Sequence, residues 1–116
     1  MNYKNLQVWQ KADELALAVY VMTKNFPKDE LYGITSQLRR ASLSVPTNIV
    51  EGYARRGDKE LAHFLSISIG SLAETEYLIE FSTKLGYLSA NDAQKLEALR
   101  AETGKMLWQF YKKVKQ

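Results

Sequence analysis

The stretch LYGITSQLRRASLSVPTNIVEGY, residues 31–53, decides the fold. Ile34, Leu38, Ala41, Val45 and Ile49 follow one another at steps of four, three, four and four, a stripe at the 3.6-residue period of an α-helix. Pro46 sits inside that stripe. A mid-helix proline forfeits the bond to the carbonyl of Ser42 and costs about 3 kcal/mol, so a kinked second helix is expected unless packing or hydroxyls compensate. Ser42, Ser44 and Thr47 are close enough in sequence to do so. Gly52 and Gly57 bracket Tyr53, Ala54, Arg55 and Arg56, so the helix is predicted to end at either glycine.

Three further helical patterns flank it. From Leu6 to about Lys24, Val8, Ala12, Leu15, Val19 and Met22 hold one stripe, with Asn5 as the expected N-cap. Pro27 breaks that pattern, because it disfavours helical geometry at Phe26. A third helix is predicted from Asp58, as N-cap, to about Leu85, with Gly86 as its C-cap. Ser89 and Asp92 open the last helix in the manner of a capping box. It carries Leu96, Leu99, Met106, Leu107, Phe110 and Val114 inward and ends in Lys112, Lys113 and Lys115, cations suited to the negative end of the helix dipole. Long helices joined by short breaks predict an all-α, up-down-up-down antiparallel four-helix bundle, one domain over residues 1–116.

The composition agrees. In 116 residues there are only two Pro and six Gly, which disfavours a turn-rich β architecture, and the absence of Cys excludes disulfides, thiolate metal sites and a cysteine nucleophile. The start, MNYKNLQVWQKADEL, has no apolar signal-peptide run, and no stretch of about 18 apolar residues exists to span a bilayer. A cytoplasmic protein without membrane partners is expected. The net charge of +3 is mild. Its distribution is uneven: residues 1–57 and 89–116 are each basic, whereas residues 58–88 carry five acidic groups against two basic ones. Salt bridges between adjacent helices would use part of this asymmetry.

Apolar residues exceed what one stripe per helix needs. Trp9, Ala16 and Tyr20 lie roughly 100° from the main stripe of the first helix, and Trp108 is similarly off-axis in the fourth. In the third helix nine large apolar residues spread over more than half the circumference. A wide monomeric core and an oligomer interface both account for this, and off-stripe aromatics favour the interface, with Trp9, Tyr20 and Trp108 as its candidate residues. Ser66, Ser68, Gly70, Ser71 and Ala73 form a small-residue patch on the third helix, read as a packing device.

Chemistry finds little footing. No phosphate-binding glycine loop, nucleophile elbow or dinucleotide fingerprint is present. The single histidine completes Glu60-Leu61-Ala62-His63, a spacing that di-iron bundles use on two helices. One copy in a first turn makes no metal site, so no metal, cofactor or enzymatic activity is expected. The basic residues say more. Arg55, Arg56 and Lys59 can hold phosphates or simply be solvated, while Arg39 and Arg40, in mid-helix, suit packing and ion pairing as well as phosphate contacts.

Tyr3, Leu6, Val8 and Trp9, then Gln37-Leu38-Arg39-Arg40-Ala41, Ser44-Val45-Pro46-Thr47-Asn48-Ile49-Val50-Glu51-Gly52 and Gly70-Ser71-Leu72-Ala73-Glu74 occur in that order across nearly the whole chain. Together they resemble the bacterial four-helix bundle proteins encoded within 23S rRNA intervening sequences. That family is in turn similar to the accessory variability proteins of diversity-generating retroelements. The resemblance implies a homopentamer with a central channel, a role in binding RNA or DNA, and no enzymatic activity. Carried onto this chain, Arg39, Arg40, Asn48 and Glu51 are the polar positions of the motif, and Pro46, Gly52 and Gly70 its structural ones. Their spacing also permits a network that satisfies the carbonyls around Pro46. The functional expectation is a non-enzymatic, self-assembling bundle binding nucleic acid through Arg39, Arg40, Arg55, Arg56 and Lys59. The alternative is a protein-interaction scaffold that binds no nucleic acid.

Overall fold

The computed structural model describes residues 2–116. Four helices account for most of them: α1 (Gln7–Met22), α2 (Ile34–Ala54), α3 (Asp58–Lys84) and α4 (Ala90–Lys115), with no strand among the described residues. α1 packs on α2 and α4, α2 on α3, and α3 on α4. The longest dimension, 43 Å, matches the roughly 40 Å expected of the two longest helices at 1.5 Å per residue.

Helix ends follow local chemistry, though not always at the expected residue. Asn5 does not cap α1: the Asn2 side chain accepts from the Lys4 amide at 3.0 Å and starts a 3-10 turn over Tyr3–Asn5. Extended Leu6 then holds the N-cap position, and Gln10 donates back to the Lys4 carbonyl. α1 stops at Met22, where Thr23 donates its hydroxyl to the Val19 carbonyl at 2.8 Å and opens a second 3-10 turn. Phe26 is extended ahead of Pro27, as the ring requires. α2 begins three residues later than expected, after a 3-10 turn over Lys28–Glu30.

Neither glycine ends α2, which runs through Gly52 and stops at Ala54. Gly57, at φ 92°, makes the corner and takes the N-cap position of α3, so Asp58 is the first helical residue rather than the cap. Its carboxylate still sits at the positive end of the dipole. Gly86, at φ 80°, closes α3 as a Schellman motif: its own amide donates to the Thr83 carbonyl and that of Tyr87 to the Ser82 carbonyl. The Ser89 hydroxyl accepts from the Asp92 amide at 3.1 Å and opens α4 as the sequence indicates.

The expected stripes meet in one core. Leu15, Val19, Leu38, Val45, Ile49, Leu65, Leu96 and Leu107 are fully buried, each contributing about 1.5–3 kcal/mol over an exposed position. Pro46 is buried among them, inside a continuous α2. Hydroxyls and an amide engage neighbouring carbonyls, but none of these bonds reaches the Ser42 carbonyl that Pro46 leaves without its helical donor, and the Ser42 hydroxyl itself donates to the Arg39 carbonyl. Thr47 donates to the Leu43 carbonyl, Asn48 to the carbonyl and hydroxyl of Ser44, and Ser68 of α3 to the Val45 carbonyl, all at 2.8–2.9 Å. The Ser44 and Ser71 hydroxyls are hydrogen-bonded to each other at 2.8 Å. Gly52 lets α2 approach α3: a Cβ there would lie 2.9 Å from Phe64 Cβ and 3.3 Å from the Leu61 carbonyl oxygen.

Candidate nucleic-acid interface

The corner at Gly57 gathers Arg55, Arg56 and Lys59, all exposed, where α2 ends and α3 starts. Arg55 reaches back one turn to Glu51 at 3.8 Å and lies over the Phe64 ring, 5.1 Å from its centroid. Arg56 and Lys59 enter no ion pair among the described residues. The first turns of α3 lie against the last turns of α4. Between them is an open cavity of about 550 Å³ lined by Lys59, His63, Tyr111 and Lys115, with Asp58 and Ser66 among its other walls.

The lysines at the end of α4 therefore do more than complement a dipole: Lys115 shares a cavity with Lys59. One turn inward, Trp108 stacks on Tyr111, with ring centroids 5.7 Å apart and planes inclined by 26°. The Lys112 ammonium stands 5.8 Å from the Trp108 ring centre and that of Lys115 stands 5.5 Å from the Tyr111 ring centre. Sequence reasoning missed Tyr111, His63 and Lys115 as partners of Lys59. The usable signal was the repeat of an aromatic followed four residues later by a lysine, 108 to 112 and 111 to 115.

The other two arginines lie elsewhere. Arg39 is half-buried, donating Nε to the Thr23 hydroxyl at 2.8 Å and a second nitrogen to the Tyr20 carbonyl at 3.5 Å, with its guanidinium 5.0 Å from the Tyr20 ring centre. It clamps the end of α1 to α2. Arg40 is exposed and lines a polar cleft between α2 and α3 with Gln37, Ser44, Ser71 and Glu74. Fifteen residues of helix, roughly 22 Å, separate Arg40 from Arg55. The five basic residues thus form an end cluster and two separate positions rather than one patch.

The candidate interface residues also divide. Trp9 is half-buried against the core and meets Tyr3 edge-on at 5.0 Å. Tyr20 is exposed on α1 with Leu17 and Val21, and Trp108 is half exposed in the groove between α3 and α4. On the outward side of α3, Ile67, Gly70, Glu74, Tyr77 and Phe81 form an exposed stripe at the heptad spacing, which the sequence pattern alone does not isolate. The small-residue patch splits: Ser68 and Ser71 bridge to α2, whereas a Cβ on Gly70 would meet nothing within 4 Å.

One acidic residue of α3, Glu76, pairs with a basic neighbour. Arg100 of α4 pairs with Glu76 of α3 at 3.2 Å and with Glu97 of its own helix. The hydrogen bonds that Arg100 donates to Glu97, with the charges of Glu97, Glu76 and Glu80, raise the Arg100 pKa against the opposing cost of burial, so its charge is fixed. Lys11 of α1 reaches Glu102 of α4 at 3.5 Å. Among the described residues no three His, Asp or Glu side chains gather where a metal ion could be held, and Glu60 and His63 are both exposed. Among the described residues no helix is long and apolar enough to cross a membrane.

A family model described as 23S rRNA-intervening sequence protein matches residues 4–109. Among solved structures, the chain is similar to a protein of unknown function from the S23 ribosomal protein family of Bacteroides thetaiotaomicron. The two superpose with a TM-score of 0.81 at 22% identity, over 90% of this chain and 98% of that one. At that identity the likeness speaks for the fold alone. No curated protein sequence matches the chain.

Proposed function

The chain belongs to the 23S rRNA-intervening sequence protein family, and from that premise we propose that it is a non-enzymatic, self-assembling four-helix bundle that binds RNA or DNA through phosphate contacts. The observation that carries this reading is the meeting of Lys59 and Lys115 across one cavity, beside Arg55 and Arg56. In this reading the rods run up-down-up-down, α2 bends at Pro46, and the end cluster supplies the phosphate contacts. Arg40 adds a separate one, and Arg39 acts through its clamp on α1. Self-assembly uses the exposed apolar residues of α1 and α3, in the five copies that the family resemblance implies.

Phosphate contacts release counterions, so affinity should fall steeply and linearly with salt on a log-log plot. An Arg55/Arg56/Lys59 triple alanine variant should bind more weakly and show a slope shallower by about one for every phosphate it no longer neutralises. Unchanged affinity would reject that patch, and no binding of either nucleic acid at low salt would reject the function. A second reading, a scaffold for another protein, is favoured by Leu17, Val21 and Tyr77, each about 60% exposed. Recovery of one stoichiometric protein partner, with no nucleic-acid binding, would select it.

A further inference from the structure

The stacked pair on α4 does something that phosphate binding does not require. A cluster built only for phosphates needs cations, yet here Trp108 is 50% exposed, with its orientation set by the Tyr111 ring beneath it. Lys112 stands at the Trp108 ring and Lys115 at the Tyr111 ring, which places positive charge beside two aromatic surfaces. From Tyr111 the surface continues into the cavity shared by Lys59 and Lys115. One ammonium, Lys112, stands at the indole and a second, Lys115, at the neighbouring phenol, and an exposed indole beside these cations matches a nucleotide in both its parts, the base on the ring and the phosphate on the cation.

A duplex hides its base faces in its own stack and presents phosphates outward. It can use the lysines and gains nothing from the indole. A single strand uses both. We propose that the partner at this end is single-stranded nucleic acid, with an unpaired base stacked on Trp108 and the adjoining phosphates held by Lys112, Lys115 and Lys59. The proposal rests on the nucleic-acid reading above and names the form of nucleic acid that the site selects. Stacking tolerates any base, so preference for strandedness is expected without strong preference for sequence.

The test uses the full chain carrying Trp9→Phe, which leaves Trp108 as the only tryptophan. It compares a labelled oligouridine of about twenty nucleotides with a hairpin duplex of equal charge. The expected result is tighter binding of the oligouridine, with Trp108 emission quenched as it binds. Trp108→Ala should weaken oligouridine binding by about five- to a hundredfold and collapse its preference over the duplex, while Trp108→Phe retains most of it. Lys112→Ala should instead flatten the salt dependence. If oligouridine and duplex bind equally and Trp108→Ala changes neither, the stacking proposal falls and the phosphate-binding function stands. If neither binds at low salt, the function itself falls. A change of subunit number in Trp108→Ala, measured by sedimentation, overturns the proposal by placing the indole between copies.

Discussion

Two glycines of the same motif carry opposite constraints. Gly52 is pressed against Phe64 and Leu61, so Gly52→Ala should push α2 off α3 and destabilise the fold by about 1–3 kcal/mol in urea unfolding. Gly70 faces open space in mid-helix, and Gly70→Ala should stabilise the single chain by about 0.5–1 kcal/mol by the same measurement. The buried Thr35 hydroxyl has no hydrogen-bond partner among the described residues, so Thr35→Val should raise stability by about 1 kcal/mol. Tyr87 supplies a pH signature. Its phenol donates to Glu30 at 2.8 Å, and that bond, with burial and the nearby Glu30 charge, raises its pKa above the ordinary value. The folded state therefore holds this proton more tightly than the unfolded chain. The stabilisation is complete below about pH 10 and is lost as pH rises through the raised value. Glu30→Gln should bring phenolate absorbance of Tyr87 back toward the ordinary range.

At the scale of the element, what could be read from sequence was local. The inward stripes of α1, α2 and α4, Gly86 as a C-cap and Ser89 as an N-cap each depend on residues within a turn of one another, and the structure holds them where the pattern put them. Asn5 and Asp58 depart from their expected capping roles for a physical reason. A capping side chain is one of several ways to satisfy the first amides, and here an upstream asparagine and a positive-φ glycine fix the chain entry first. The support around Pro46 is legible only by half. Asn48, Ser44 and Thr47 lie on the same helix, but the donor to the Val45 carbonyl is Ser68, which only the packing of α3 supplies. Ser68→Ala should cost about 1 kcal/mol and leave the Val45 carbonyl without that partner, visible as faster amide exchange around residue 49.

For the whole molecule, charge counts along the chain locate the basic segments but not their meeting. Lys59 and Lys115 come together because the start of α3 lies on the end of α4, which the antiparallel order expected of these two helices implies and the charge counts do not show. The same holds for Arg39, which sequence groups with Arg40 and the fold turns inward onto Thr23. Assembly is the corresponding prediction. Sedimentation should show a closed oligomer, and Ile67→Glu with Phe81→Glu on the outward stripe of α3 should disperse it without lowering the melting temperature of the dispersed chain. The cationic cluster occupies one end of an elongated body, 43 Å by 24 Å by 20 Å. Rotational symmetry keeps equivalent points at equal height along its axis. Copies arranged around a ring would therefore bring every such cluster to one level, giving the assembly a front and a back and a strand a direction of approach.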